Sequence, residues 1–291
     1  KNAISYLQDE YEPMKRALIV ADPGMVQFGF VDTVYAQLAL RDEKVETSLY
    51  GTIKPDPTLG QTIEIAKQMR EFKPDTVIAI GGGSAIDASK IARLIYEVSL
   101  DRGAEFLDSY DAVSEFFLEL QQKFIDIRKR IVKFKHQTAT RLFCIPTTSG
   151  TGAEITPFAV ITDDYTHVKY PLADYELVPQ VAIVDPEFVM TVPKRTAAWS
   201  GLDALSHALE SYVSVMASDF TRPWSLEAIK LIMENLEDAY NYDPKNPTLR
   251  GEKAKENMHY AAAIAGMAFG NAFLGINQSL APKTGGEFGL P

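Results

Sequence analysis

One cysteine, Cys144, supplies all the thiol in 291 residues. That scarcity excludes an internal disulfide framework and fits a reducing cytoplasm, the expected location. Positive charge is also short. The 29 basic residues face 39 acidic ones, and a net charge of -10 excludes a general nucleic-acid binder. The densest basic run, Arg128-Lys-Arg-Ile-Val-Lys-Phe-Lys135, follows Asp126 and reads as a solvated helix end. No apolar run approaches the ~20 residues of a membrane-spanning helix, and no charged segment followed by an apolar one opens the chain. No membrane partner is expected. Internal repeats and low-complexity tracts are missing as well. Lys1-Asn-Ala-Ile lacks an initiator Met, and Gly285-Gly-Glu-Phe-Gly-Leu-Pro291 stops without a closing helix. A fragment of a longer chain is the expectation.

What is present is an ordinary globular composition, 46% hydrophobic, in a chain longer than one core usually serves. Two domains follow. Up to about Asp185, short β-branched runs alternate with helical patterns. Arg16–Ala21, Thr76–Ile80, Arg141–Ile145 and Val181–Val184 read as buried strands, with a weaker one over Val45–Tyr50. Leu59–Phe72 reads as an amphipathic helix between two of them. This rhythm predicts a parallel sheet with helices on both faces. Phe116, Phe117, Leu118, Leu120 and Phe124 recur at helix-like spacing in a long charged stretch, an inserted helix covering a neighbouring surface. Phe158–Thr162 and Val168–Leu172 flank a polar turn and predict a hairpin. After Pro186 the strands give way to three helices, over 196–216, 223–240 and 252–273. The expected division is an α/β domain over 1–188 and an all-α domain, incomplete at its C-terminus, over 189–291.

Four places carry candidate chemistry. Gly81-Gly-Gly-Ser-Ala-Ile-Asp-Ala-Ser-Lys90 joins a buried strand to a helix. Its glycines either bring the backbone close to a phosphate at a helix N-terminus or serve only a tight turn. Ser84 is a suitable N-cap, with Asp87 in the first turn. Pro146-Thr-Thr-Ser-Gly-Thr-Gly-Ala-Glu154 offers hydroxyls and bare backbone to a ribose or pyrophosphate, or is a Ser/Thr turn without a ligand. Asp22, just past the first strand, suits ribose hydroxyls and repels a 2′-phosphate, although Asp-Pro-Gly is also a common turn. Asp203 and His207, at i and i+4 on one helix face, are either a polar stripe or two ligands for a divalent metal, with Glu210 one turn on. Of the other histidines, His136 and His167 read as surface residues and His259 as a satisfied, partly buried one. Cys144, inside a strand, reads as inert core.

Taken in order, Gly81-Gly-Gly-Ser-x-x-Asp-x-x-Lys90, Pro146-Thr-Thr-x-Gly-Thr and Gly201-x-Asp-Ala-x-x-His-x-x-Glu210 resemble the iron-containing (group III) alcohol dehydrogenases. Lys1-Asn-Ala-Ile-Ser-Tyr-Leu, Asp126-Ile-Arg-Lys-Arg130 and Lys169-Tyr-Pro-Leu-Ala-Asp174 are most similar to the alcohol dehydrogenase domain of bifunctional aldehyde–alcohol dehydrogenases. The resemblance implies a Rossmann-like dinucleotide-binding domain, a helical metal domain and an active site between them. It implies NAD, held at its pyrophosphate by Gly82, Gly83, Ser84 and Asp87. Asp22 would face the adenosine ribose, and Thr147, Thr148, Thr151 and Lys169 would line the cofactor. Phe158 would sit beside the nicotinamide. The substrate would be a short alcohol or aldehyde such as ethanol or acetaldehyde, with a glycerol or polyol dehydrogenase as a related reading. A homo-oligomer, fused to an aldehyde dehydrogenase domain, is also implied.

For the metal, Fe2+ or Zn2+, the resemblance makes Asp203 and His207 the first two ligands. The family completes the site with histidines in a His-x-x-x-His run followed by Pro-His-Gly. Gln278 and Pro282 stand at the first two of these positions here. A glutamine oxygen is a poorer ligand than imidazole and proline offers none, so weak metal binding or none is expected. In a complete site the metal would polarise the alcohol oxygen for hydride transfer. No acid–base side chain is assigned. A catalytically impaired nucleotide-binding or assembly module is the rival reading.

Overall fold

A computed structural model describes residues 2–9, 13–103, 105–128 and 139–288. The basic run over 129–135, His136, Lys1 and 289–291 lie outside the described residues. Contacts divide the chain into two compact units, one over 4–145 and 157–183, the other over 1–3, 146–156 and 184–291.

The first unit is α/β. Its strands are β1 (Arg16–Ala21), β2 (Glu46–Tyr50), β3 (Thr76–Gly81), β4 (Arg141–Pro146), β5 (Phe158–Thr162), β6 (Lys169–Ala173) and β7 (Val181–Ala182). Its helices are α1 (Pro23–Gln27), α2 (Phe30–Leu38), α3 (Leu59–Phe72), α4 (Gly83–Arg102), α5 (Glu105–Asp108) and α6 (Tyr110–Arg128). Among the described residues one sheet has the order β2-β1-β3-β4-β7. The β1–β2, β1–β3 and β4–β7 pairs are parallel, with Ile19 opposite Leu49 on one side and Ile78 on the other. Every residue of β3, and all of β1 after Arg16, is buried, because a parallel sheet covered on both faces takes continuous apolar runs.

β7 is shorter than the expected Val181–Val184. Asp185 accepts the N–H of Glu187 and Pro186 opens a 3-10 turn over Pro186–Val189, which ends the strand. The hairpin is present, with Phe158 opposite Ala173 and Ala159 opposite Leu172 in an antiparallel register. His167 turns it at φ 57 and is exposed, as expected. α6 packs against β6. Its Val113, Phe116 and Phe117 are buried, but Leu118 is 61% exposed, because a residue two on from Phe116 falls on the opposite flank of a helix.

The second unit is helical, built from α7 (Lys194–Val213), α8 (Arg222–Asn241), α9 (Leu249–Ala272) and α10 (Ile276–Phe288). Ala204, Ile232, Ala254, Met258, Ala261 and Ala262 lie in its core, and the alanines among them let α7, α8 and α9 approach closely. A Cβ at Gly201 would stand 2.4 Å from Leu236 Cδ1, so a larger residue at this point of α7 would displace Leu236. α10 corrects the expectation that no closing helix would form over 285–288. Its glycines favour helix poorly, but the Glu210 carboxylate of α7 accepts the N–H groups of Asn277 and Gln278 and stabilises its first turn.

Candidate functional site

In the α/β unit, β3 ends at Gly81 (φ 153), where a Cβ would stand 2.8 Å from Ala85 Cβ. The chain then turns directly into α4. Gly82, not Ser84, is the N-cap, and no side chain caps the helix. Ser84 lies within the first turn, so its hydroxyl is not used as a cap. The positive end of α4 is thus not neutralised by a side-chain cap. Asp22 follows β1, and its carboxylate accepts the N–H of Gly24 at 2.8 Å and of Met25 at 3.2 Å, capping α1. It is half-buried, and both of these bonds are made by Oδ1.

Asp87, the fifth residue of α4, lies beyond the first turn in which it was expected. Its Oδ2 accepts the N–H of Val160 on β5 at 2.9 Å, and its Oδ1 is 4.0 Å from Lys90 Nζ. Lys90 is buried and donates to the carbonyl of Phe158 at 2.7 Å. Asp87 and Lys90 together tie α4 to the strand that carries Phe158. The sequence alone assigns Lys90 no role; its spacing one turn past Asp87 is the signal that links the two. Lys169 Nζ pairs with Asp56 at 2.8 Å.

In the helical unit, the Thr-rich loop lies against α7 and α9. Thr147 is buried, Thr148 half-buried and Thr151 exposed. Gly152 takes φ 60, and a Cβ there would stand 2.8 Å from Gly266 Cα on α9. Two histidines hold the loop. His207 Nδ1 is 3.3 Å from the Gly150 carbonyl, and Ser149 Oγ is 3.2 Å from His259 Nδ1. His259 corrects the partly buried expectation: it is 1% exposed, and its Nε2 has no hydrogen-bond partner among the described residues. Burial pushes its pKa down to about 4, opposed by the nearby Asp185.

His207 is 6% exposed, and its ring lies on Phe269 with centroids 4.5 Å apart. Donation from Nδ1 to Gly150 turns Nε2 toward Asp203 Oδ1, at 3.5 Å. That orientation is the one a ligating histidine adopts. The third position is different. Gln278 Nε2 donates to Asp203 Oδ1 at 2.9 Å and to Ser206 Oγ at 2.8 Å, so an amide N–H, not an oxygen, faces the carboxylate. Glu210 is occupied by the N–H groups of Gly275, Asn277 and Gln278. Among the described residues no three His, Cys, Asp or Glu side chains converge on a metal position. The donor set therefore does not fit a closed metal site: two strong donors face a hydrogen-bond donor.

Asp87 and His259 give the two units opposite pH responses. Burial raises the Asp87 carboxyl from 3.8 to about 6, with Lys90 and the Val160 N–H opposing. The folded α/β unit thus holds a proton that the unfolded chain releases, and stability is lost as pH rises from about 4 through 6. His259, lowered from 6.5 to about 4, does the reverse, and stability is lost as pH falls through that window. Each effect reaches roughly 3 kcal/mol at most. Acidification from pH 7 to 5 is expected to slow hydrogen exchange in β3 and speed it in α9, after correction for intrinsic rates. Asp87→Asn and His259→Gln should each flatten only the profile of their own unit; a shared sign in both units would refute the assignment.

The family profile described as iron-containing alcohol dehydrogenase matches residues 1–186, and that of the Fe-containing alcohol dehydrogenase family C-terminal part matches 197–291. The chain belongs to the iron-containing alcohol dehydrogenase family. Aldehyde-alcohol dehydrogenase 2 of Entamoeba histolytica is 47% identical over 291 residues, 100% of this chain and 31% of that protein. The NADPH-dependent butanol dehydrogenase of Clostridium saccharobutylicum is 40% identical over 278 residues, 95% of this chain and 64% of that one. Sulfoacetaldehyde reductase from Bifidobacterium kashiwanohense, solved in complex with NAD+, aligns with a TM-score of 0.75 at 27% identity, covering 94% of this chain and 65% of that chain. This chain thus spans less than two thirds of the first of these relatives, at 31% of its length.

Proposed function

We propose that the chain carries the nucleotide-binding elements and half of the metal site of an alcohol dehydrogenase. Its reaction would interconvert short primary alcohols such as ethanol with their aldehydes. In the oxidative direction NAD+ held at Gly82, Gly83 and Ser84 would supply the hydride acceptor, and the alcohol would give up a hydride and its hydroxyl proton to become the aldehyde. The observation that carries this reading is the β3–Gly81-Gly-Gly–α4 turn, whose helix end is left without a side-chain cap. Gly82, Gly83 and Ser84 would hold the pyrophosphate. Asp87 would act through Val160 and Lys90, fixing the strand that places Phe158 by the nicotinamide. Lys169, oriented by Asp56, would meet the cofactor from β6. In the helical unit, Thr147, Thr148 and Thr151 offer hydroxyls suited to ribose or pyrophosphate. The relative named as an aldehyde-alcohol dehydrogenase supports an alcohol and its aldehyde as the substrate pair and, since this chain spans 31% of that relative, fusion to an aldehyde dehydrogenase domain.

The relatives' names divide between NADPH and NAD+, and Asp22 favours NAD here, since its carboxylate would repel a 2′-phosphate. Titration of the chain with NADH, followed by cofactor fluorescence, is expected to saturate, with NADPH binding at least about tenfold more weakly. No saturable binding of either would sink the dinucleotide reading, and equal affinities would sink the role of Asp22. A second reading has its own support. The Gln278 amide facing Asp203 favours a catalytically impaired module, which would bind NADH while leaving ethanol unoxidised.

A further inference from the structure

Asp203, Ser206 and Glu210 occupy positions i, i+3 and i+7 of α7 and share one face. All three meet the start of α10. Glu210 accepts the N–H groups of Gly275 at 3.0 Å, Asn277 at 2.7 Å and Gln278 at 3.2 Å. Ser206 Oγ is 3.1 Å from Asn277 Nδ2 and 2.8 Å from Gln278 Nε2. Asp203 Oδ1 accepts the second hydrogen of that same amide nitrogen at 2.9 Å. α10 adds little apolar area, for Ile276 is 76% exposed and Leu280 57% exposed.

We infer that α10 is docked on α7 by a metal-independent polar clasp, in which the Gln278 amide fills the position opposite Asp203 that a cation takes in a complete site. The carboxylate needs a positive partner, and an amide N–H supplies a partial one without charge. The amide's direction is set by its neighbours. If it were turned over, Oε1 would face the Asp203 oxygen, exchanging an attractive contact for a repulsive one. A divalent cation at Asp203 and His207 must therefore displace the donor that anchors α10, so the clasp and the metal compete for one carboxylate. Gly275 belongs to the same device. A Cβ there would stand 2.8 Å from Glu210 Oε1 and push the carboxylate off the helix end. The clasp rests on hydrogen-bond directions within the helical unit, not on cofactor binding, so NADH affinity reports separately on the proposed function.

Hydrogen exchange of the whole chain, read on α10 with α8 and α9 as internal references, tests the clasp. Protection of α10 is expected to be full in EDTA and no higher in Zn(II). Gln278→Leu should lower it about tenfold, with α8 and α9 unchanged. Gln278→Glu, which opposes two carboxylates, should lose protection in EDTA and regain it with Zn(II), and with that gain a metal dependence the unmodified chain lacks. The inference is overturned if α10 of the unmodified chain loses protection in EDTA, if Gln278→Leu keeps full protection, or if that variant loosens α8 and α9 equally.

Discussion

Gly83→Glu is expected to weaken NADH binding about a hundredfold while leaving the fold at least as stable. Gly83 is the first residue of α4, and no acidic residue occupies that first turn. A carboxylate there interacts favourably with the helix N-terminus by about 0.3–1 kcal/mol, so thermal unfolding should not shift downward. The same charge would stand near a bound pyrophosphate. At about 5 Å and an effective dielectric of about 20, repulsion between two unit charges is about 3 kcal/mol, or a factor of roughly a hundred. Fold and ligand are pulled in opposite directions, which makes the result diagnostic. Fluorescence titration beside a thermal melt is the measurement. An unchanged NADH affinity would show that the pyrophosphate does not lie at this helix end.

Gly152→Val is expected to destabilise the helical unit by about 2–6 kcal/mol. A β-branched residue at φ 60 is strained by about 1–3 kcal/mol. The added Cβ would also stand 2.8 Å from Gly266 Cα, and overpacking against backbone adds about 1–3 kcal/mol. A melting temperature lowered by on the order of 10 °C follows for a unit of this size. Urea denaturation gives the free energy directly. A loss below about 1 kcal/mol would mean that the Thr-rich loop is free to move away from α9.

Much of the architecture was legible because its signals are local. The buried runs of β1 and β3, the amphipathic Leu59–Phe72 and the turn-flanked hairpin each declare themselves within ten to fifteen residues, and the helical half follows from its alanine and leucine periodicity. What was not legible depends on distant partners. Nothing near Glu210 announces that its carboxylate will cap a helix 65 residues on. Nothing near His259 names Ser149, 110 residues away, as its partner. Gln278 could be ranked as a poor ligand from its chemistry, but that it presents nitrogen rather than oxygen is decided by the acceptor-only carboxylate of Asp203, 75 residues away. Leu118 misled because hydrophobicity without strict periodicity overstates burial. Ser84 misled because a glycine can begin a helix without any cap.

Cys144 lies buried in β4 of the α/β unit, while both tryptophans, Trp199 and Trp224, lie on α7 and α8 of the helical unit. The two units therefore carry separate intrinsic reporters. Indole emission follows one and thiol-reagent labelling the other, on the same unlabelled sample. Whether the halves open together or in succession can be timed without altering a single residue.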